Sequence, residues 1–356
     1  MRFAYTADLH LSGYSQDKIV DNLPERVYEI KTSIYGIATY CGQKEINTII
    51  IGGDLLHNKS LIYSLAQNIL LDFFRSFPKI HFILIDGNHD LSGKGENVVS
   101  SLRVFNEPNV ARIAEATYGK GIFPFWKDET RILFVPYSTK MVEQIKTNSA
   151  DYLVAHFGLN EGTLNSGVSI ISDIGAKDLI GKYKVCLLGH YHKPQDLKNE
   201  KIQIYYVGSP TQKDWGEKHE EKRFLIVDTG NGTVESIPTV GYKKHFEIIV
   251  SKENKQEMFE KAKELSADGH YVKIVTKDKA TDWKEISKSL KTEERTSISF
   301  SDKSEVDITN RGITSSMSTE DKLNRYLEIK EIPKEKWGFY KERAFEIIST
   351  TAERVK

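Results

Sequence analysis

KIHFILIDGNHD, residues 79–90, is an apolar run that ends in Gly87, Asn88, His89 and Asp90. The run reads as a buried strand, bounded by turn formers and ionisable groups. Gly and Asn are common in turns, so the stretch taken singly reads as a plain turn. The other strand ends of the chain bear on that choice.

The same shape recurs along the sequence. RFAYTADLH (2–10) closes on Asp8 and His10, and INTIIIGGDLLH (46–57) closes on Gly52, Gly53, Asp54 and His57. DYLVAHF (151–157) carries His156, and KVCLLGHYH (184–192) closes on Gly189, His190, Tyr191 and His192. Six of the ten histidines thus fall at or just after the ends of predicted strands. In open α/β sheets ligands bind beyond the carboxyl ends of strands, where loops distant in sequence converge. Each cluster has an ordinary reading. DLH is a chance tripeptide, GGD a turn with an N-cap, and a lone His156 a structural histidine. In GHYH, alternate residues of extended chain point the same way, so two imidazoles face one side. Jointly, acid, amide and imidazole at five strand ends point to a metal centre. Two divalent ions can clamp the attacking and leaving oxygens of a phosphoryl transfer. Mixed Asp and His donors suit manganese, iron or zinc better than magnesium, which prefers oxygen. A bridging carboxylate needs a short side chain on a rigid turn, and adjacent glycines let the backbone come close.

Composition is compatible with this. The chain has 356 residues, 39% of them apolar and 28% charged, with 50 basic and 50 acidic side chains. Any contact with nucleic acid therefore depends on local basic patches, because no global positive field exists. Cys41 and Cys186 form no CxxC or disulfide framework, which favours a reducing cytoplasm. No apolar run approaches the roughly 18 residues of a membrane span, and no signal peptide is read. Neither a GxSxG serine motif nor a GxxxxGK[ST] phosphate loop occurs.

Strands alternate with helices over residues 1–240, with helices expected at 21–41, 62–77 and 96–105, which predicts a layered α/β domain. Residues 245–305 carry a lysine-rich βαβαβ pattern, including a helix near 283–290. A polar linker is expected at 306–319. Residues 320–356 read as two amphipathic helices split by Pro333, with Trp337, Tyr340, Ala344 and Ile347 on one face.

The motifs DxH, GDxxH, GNHD, a lone His and GHxH occur here in order, and together they resemble the calcineurin-like metallophosphoesterase superfamily. GDLLH, with YVGSP at Tyr206–Pro210, resembles the SbcD-type nuclease subunits of DNA double-strand-break repair, including those of phage recombination. The resemblance implies a four-layer α/β/β/α sandwich with a small α+β cap domain and a C-terminal helical segment. It implies that Asp8, His10, Asp54 and His192 hold one ion and that Asp54, Asn88, His156 and His190 hold the other. His89 would face the scissile phosphate and His57 would assist, while Asp90 would orient His89 or cap the next helix. Manganese is the ion expected, with magnesium as the alternative. The expected activity is exonuclease on duplex ends and endonuclease on single strands or hairpins, and the alternative is a metallophosphoesterase acting on small-molecule or protein phosphoesters. The expected partners are DNA, an SbcC-type coiled-coil ABC ATPase held by the C-terminal helices, and a second copy of the chain. The expected location is the cytoplasm, that of a host if a phage encodes the chain.

Overall fold

The computed structural model describes residues 1–356 apart from 15–16, 94–97, 109, 115–116, 119–128, 166, 168–170, 252, 277–295, 301–318, 331 and 345–356. The chain divides into two compact units. One is built on Met1–Ile248 and Phe259–Lys273; the other holds Ile249–Met258 and the described residues from Ile298 onward.

In chain order the first unit begins with β1 (Arg2–Thr6), α1 (Glu25–Gln43), β2 (Thr48–Ile51), α2 (Ser64–Ser76) and β3 (His81–Leu84). Then come β4 (Arg112–Ile113), β5 (Thr117–Tyr118), β6 (Ile132–Val135), α3 (Met141–Thr147), β7 (Tyr152–His156) and α4 (Ala176–Leu179). The series closes with β8 (Val185–Gly189), β9 (Gln195–Lys198), β10 (Gln203–Tyr206), β11 (Arg223–Asp228) and β12 (Thr233–Pro238). They form two six-stranded sheets, ordered β12-β11-β1-β2-β3-β4 and β9-β10-β8-β7-β6-β5. β1 to β4 run parallel, as do β6, β7, β8 and β10.

The period of two along each strand builds the layers. On β1, Ala4 joins the core under α1 and α2, while Phe3 and Tyr5 join the core between the sheets. β2 repeats this, with Ile49 and Ile51 facing the helices and Ile50 facing the other sheet. In the second sheet Leu153, Ala155, Cys186 and Leu188 pack with α3 and α4 residues, and Tyr152, Val154, Val185 and Leu187 fill the middle. Strands buried on both faces read as unbroken apolar runs. The expected four-layer order of helices, sheet, sheet, helices follows from these three cores.

Local chemistry moves some boundaries. The helix expected from residue 21 starts at Glu25, because Asp21 and Asn22 (φ 50° and 61°) form a two-residue hairpin turn between Val20 and Leu23. Positive φ at both central residues is the signature of that turn. The helix expected from residue 62 starts at Ser64, leaving Leu61 outside it and 54% exposed. No long helix spans the described part of 96–105. Val99–Ser100 pairs with Leu91–Ser92, and Ser101–Phe105 is a single 3₁₀ turn whose Leu102 N–H is capped by the Ser100 hydroxyl. Edge strands β9 and β12 were not expected.

Beyond the sheets lie β13 (His245–Val250), α5 (Lys255–Ala267), β14 (Tyr271–Thr276) and β15 (Thr296–Phe300), a three-stranded sheet with its helix, and then α6 (Thr319–Ile329). Residues 337–344 are helical. The helix expected near 283–290, the linker up to 318, and Ile347 lie outside the described residues. Among the described residues no helix is long and apolar enough to cross a membrane.

Candidate metal centre

The parallel strands of both sheets end at one edge, and their following loops carry the candidate residues. Past β1 and β2 the chains stay paired, with Asp8 N–H donating to Gly53 O (3.0 Å) and His10 N–H to Asp54 O (2.9 Å). The second sheet is tied in by His190 N–H, which donates to both oxygens of Asp8 at 3.1 Å. Asp8, His10, Asp54 and His190 all hold positive φ, at 58°, 51°, 52° and 93°. Non-glycine residues rarely adopt that region, and such strain persists only where the surroundings enforce it. The loops pack so closely that side chains are excluded. A Cβ on Gly87 would collide with the Asp54 carboxylate and backbone nitrogen, and one on Gly53 (φ 95°) would strike His156.

The nine residues singled out in the sequence lie together. Asp54 Oδ2 sits 3.4 Å from His10 Nε2 and 3.3 Å from His156 Nε2, between two groups of donors. On one side His10 Nε2 is 3.1 Å from His192 Nε2, and Asp8, His10 and His192 offer atoms within 4.8 Å of one another. On the other side Asn88 Oδ1 lies 3.2 Å from His156 Nε2 and 3.1 Å from His190 Nδ1. His156 Nδ1 lies 2.8 Å from Gly52 O, so it carries the proton and Nε2 is left facing Asp54. His89 is turned differently. Its Nδ1 donates to His57 O at 2.6 Å, its ring stacks on His57 at 5.6 Å and meets the His10 ring edge-on at 4.7 Å, and its Nε2 lies on the far side of the ring from the Nδ1 bond.

Protonation follows the geometry. Burial pushes His10 down, with the Lys213 charge adding to it, and burial with the His156 charge pushes His190 down to about 4. Burial also works to lower His156, but the Asp54 carboxylate reverses that and raises it to about 9. Burial works to raise Asp54, yet His156 and His10 hold it well below the usual carboxylate range. Neutral imidazoles and an ionised carboxylate are the states a cation requires, and the proton shared by His156 and Asp54 is what a cation displaces. The donor set therefore fits divalent metal.

Asp90 neither caps a helix nor orients His89. Fully buried, its carboxylate accepts from Leu56 N–H (2.9 Å), Gly87 N–H (2.9 Å) and Leu55 N–H (3.3 Å). It clamps the Asp54 loop to the Asn88 turn. Burial and the Asp54 charge push it up to about 8 against those N–H bonds.

Three residues near the site gave no signal in the sequence. Glu217 Oε1 is 3.6 Å from His192 Nδ1, and its Oε2 is 2.7 Å from the fully buried Lys222 Nζ. That ammonium also reaches His192 O (3.0 Å) and Glu220 (2.6 Å), which satisfies all three of its protons. Lys213 Nζ lies 3.2 Å from His192 Nε2. A carboxylate on the far nitrogen of a histidine fixes its ring for metal. In sequence KDWGEKHEEKR (213–223) reads as a solvated charge run, and only Trp215 hints otherwise.

A relative, Exonuclease subunit 1 of Enterobacteria phage T4, is 23% identical over 250 residues, covering 67% of this chain and 68% of its own length. Among solved structures, a dimetal phosphatase from Danio rerio aligns at TM-score 0.43 and 9% identity, over 67% of this chain and 99% of its own. A nuclease from Pseudomonas putida aligns at TM-score 0.30 and 12% identity, over 66% and 87%. The profile of the calcineurin-like phosphoesterases matches residues 1–227. That match begins at β1 and ends inside β11, the strands that bracket every candidate ligand, and so the chain belongs to the calcineurin-like phosphoesterase family.

Proposed function

We propose that this chain is a two-metal DNA nuclease, the subunit that cuts in a recombination or repair complex. The observation that carries the reading is Asp54 Oδ2, within 3.4 Å of His10 on one side and 3.3 Å of His156 on the other, the place a bridging carboxylate takes. The nuclease assignment is further supported by the similarity to the phage T4 exonuclease subunit and by the GDLLH and YVGSP stretches.

In this reading Asp8, His10, Asp54 and His192 hold one ion, and Asp54, Asn88, His156 and His190 the other. Two divalent ions, manganese ahead of magnesium, supply an activated water and neutralise phosphate charge when bound. The chain does the rest. Asp54, fixed by His89 N–H at 2.8 Å, sets the spacing of the two donor groups. His89 Nε2 faces the phosphate, and in its doubly protonated form the ring gives its Nε2 proton to the leaving oxygen. The His57 carbonyl keeps the Nδ1 proton and so fixes the ring's orientation, and the His57 ring stacks behind it. Residues 1–240 are the nuclease domain, 245–305 a DNA-gripping cap, 306–319 a linker and 320–356 the segment for an SbcC-type ABC ATPase. The working form is a homodimer in the cytoplasm, that of a host if the gene is a phage's.

The test is degradation of linear duplex, single-stranded and hairpin DNA with Mn²⁺ or Mg²⁺, beside a panel of nucleotides and phosphoproteins. His89→Ala is expected to lose roughly 10²–10⁴-fold in rate with its bound metal unchanged. Wild-type turnover of the panel without DNA cleavage overturns the nuclease reading, and a His89→Ala variant at full rate overturns the residue roles.

A further inference from the structure

A groove of about 520 Å³ opens beside Asn88, and Lys59, Arg103 and Tyr137 are among the residues that line it. Three tethers fix these walls to the centre. Lys59 follows His57 by two residues. Tyr137 N–H donates to Asp86 O at 2.8 Å, directly ahead of the Gly87–Asn88 turn. Ser100 Oγ donates to Asp86 Oδ1 at 2.5 Å and accepts from Leu102 N–H, which seats the short turn that carries Arg103. The one carboxylate in the lining is thereby engaged. Lys59 and Arg103 are exposed and have no ion-pair partner among the described residues, and Tyr137 is 39% exposed.

Two uncommitted cations and an open aromatic ring, in a groove continuous with a phosphodiester-cleaving centre, match the chemistry of one nucleotide. We propose that this groove seats the single unpaired nucleotide next to the scissile phosphate, with Lys59 and Arg103 on its backbone phosphate and its base stacked on Tyr137. Its volume is in the range of pockets that take one small-molecule-sized group, which suits one nucleotide of a frayed or single strand. Stacking on an aromatic is tolerant of base identity, so the groove selects strand state and not sequence.

The inference rests on the nuclease reading, and the experiment separates their failures. The full chain with Mn²⁺ is given a single-stranded oligonucleotide and, separately, methyl 4-nitrophenyl phosphate, which has no neighbouring nucleotide. Tyr137→Ala and the double variant Lys59→Ala/Arg103→Ala are expected to lower kcat/KM on the oligonucleotide by roughly ten-fold or more, mainly through KM, in line with the worth of one stacked base. Turnover of the small diester stays within about two-fold of wild type, which also reports an intact fold, and Tyr137→Phe keeps oligonucleotide activity. Variants that match wild type on the oligonucleotide, or that lose both substrates equally, overturn the groove. A wild-type chain that hydrolyses the small diester and no oligonucleotide overturns the nuclease reading, and the groove with it.

Discussion

Asp90 and His89 are neighbours with opposite duties, one buried and structural, the other aimed outward. Three N–H groups, those of Leu55, Leu56 and Gly87, converge on the Asp90 carboxylate. Asp90→Asn keeps the shape but replaces one acceptor with an NH₂ donor, leaving a buried N–H unpaired. Such a group costs about 1–3 kcal/mol. The expected outcome is a lower melting temperature, with metal content in the purified protein reduced because Asp54 shares the clamped loop. An unchanged melting temperature and full metal loading contradict the clamp. Gly87→Ala is expected to act harder on metal than on folding, since its Cβ meets the Asp54 carboxylate itself. Bound metal measured by elemental analysis, beside the circular dichroism spectrum, checks that. At this scale the candidate ligands were legible because Asp, His and Asn at strand ends are unusual in combination. Asp90's clamp was not, because its partners are backbone N–H groups, which every residue possesses. Glu217 and Lys222 were hidden by composition, since burial of a Lys requires acceptors that only the folded loop supplies.

Among elements, α1 carries a polar flaw that the sequence pattern does not reveal. Its buried face holds Val27, Ile30, Ile34 and Ile37, but also Glu29, which is 5% exposed and has one carboxyl oxygen without a partner. Burial raises its pKa to about 8, Lys243 opposes that, and Glu25 adds to it. Between about pH 4.5 and 8 the folded chain holds a proton there that the unfolded chain has released. Stability therefore falls as pH rises through that window. Glu29→Gln removes the dependence. Its melting temperature relative to wild type is expected to rise from pH 5 to pH 9, and a difference that does not vary with pH refutes this. The central strands were readable because parallel strands covered on both faces are continuous apolar runs. The edges were not. β9 and β12, QDLK and TVESIP, hold only half-exposed and exposed positions and carry charge, the usual composition of a protected sheet edge. Helix starts shifted for a similar reason, because Pro24 and the Asp21–Asn22 turn outweigh the apolar spacing that precedes them.

For the whole molecule, periodicity specifies strands but not which sheet each joins, and the pairing of two sheets around Phe3, Tyr5, Phe134 and Leu187 emerges only in three dimensions. Charge, by contrast, is readable without a structure. With 50 basic and 50 acidic side chains the chain has no net field to draw in nucleic acid, so the proposed nuclease requires that attraction come from the few cations placed at the centre. This has a measurable form. The logarithm of a single strand's binding constant falls with the logarithm of salt by about 0.7 for each phosphate neutralised. In the His89→Ala background, where the strand stays intact, anisotropy of a labelled oligonucleotide measured from about 50 to about 200 mM KCl gives that slope. Replacing Lys59 and Arg103 with Ala is expected to flatten it by about 0.7, the worth of the one phosphate they share. If long-range charge governed binding instead, removing two cations out of 50 would leave the slope nearly unchanged. Tyr137→Ala should weaken binding at every salt concentration by a constant factor, because stacking releases no counterions, and the two effects are then separable on one plot.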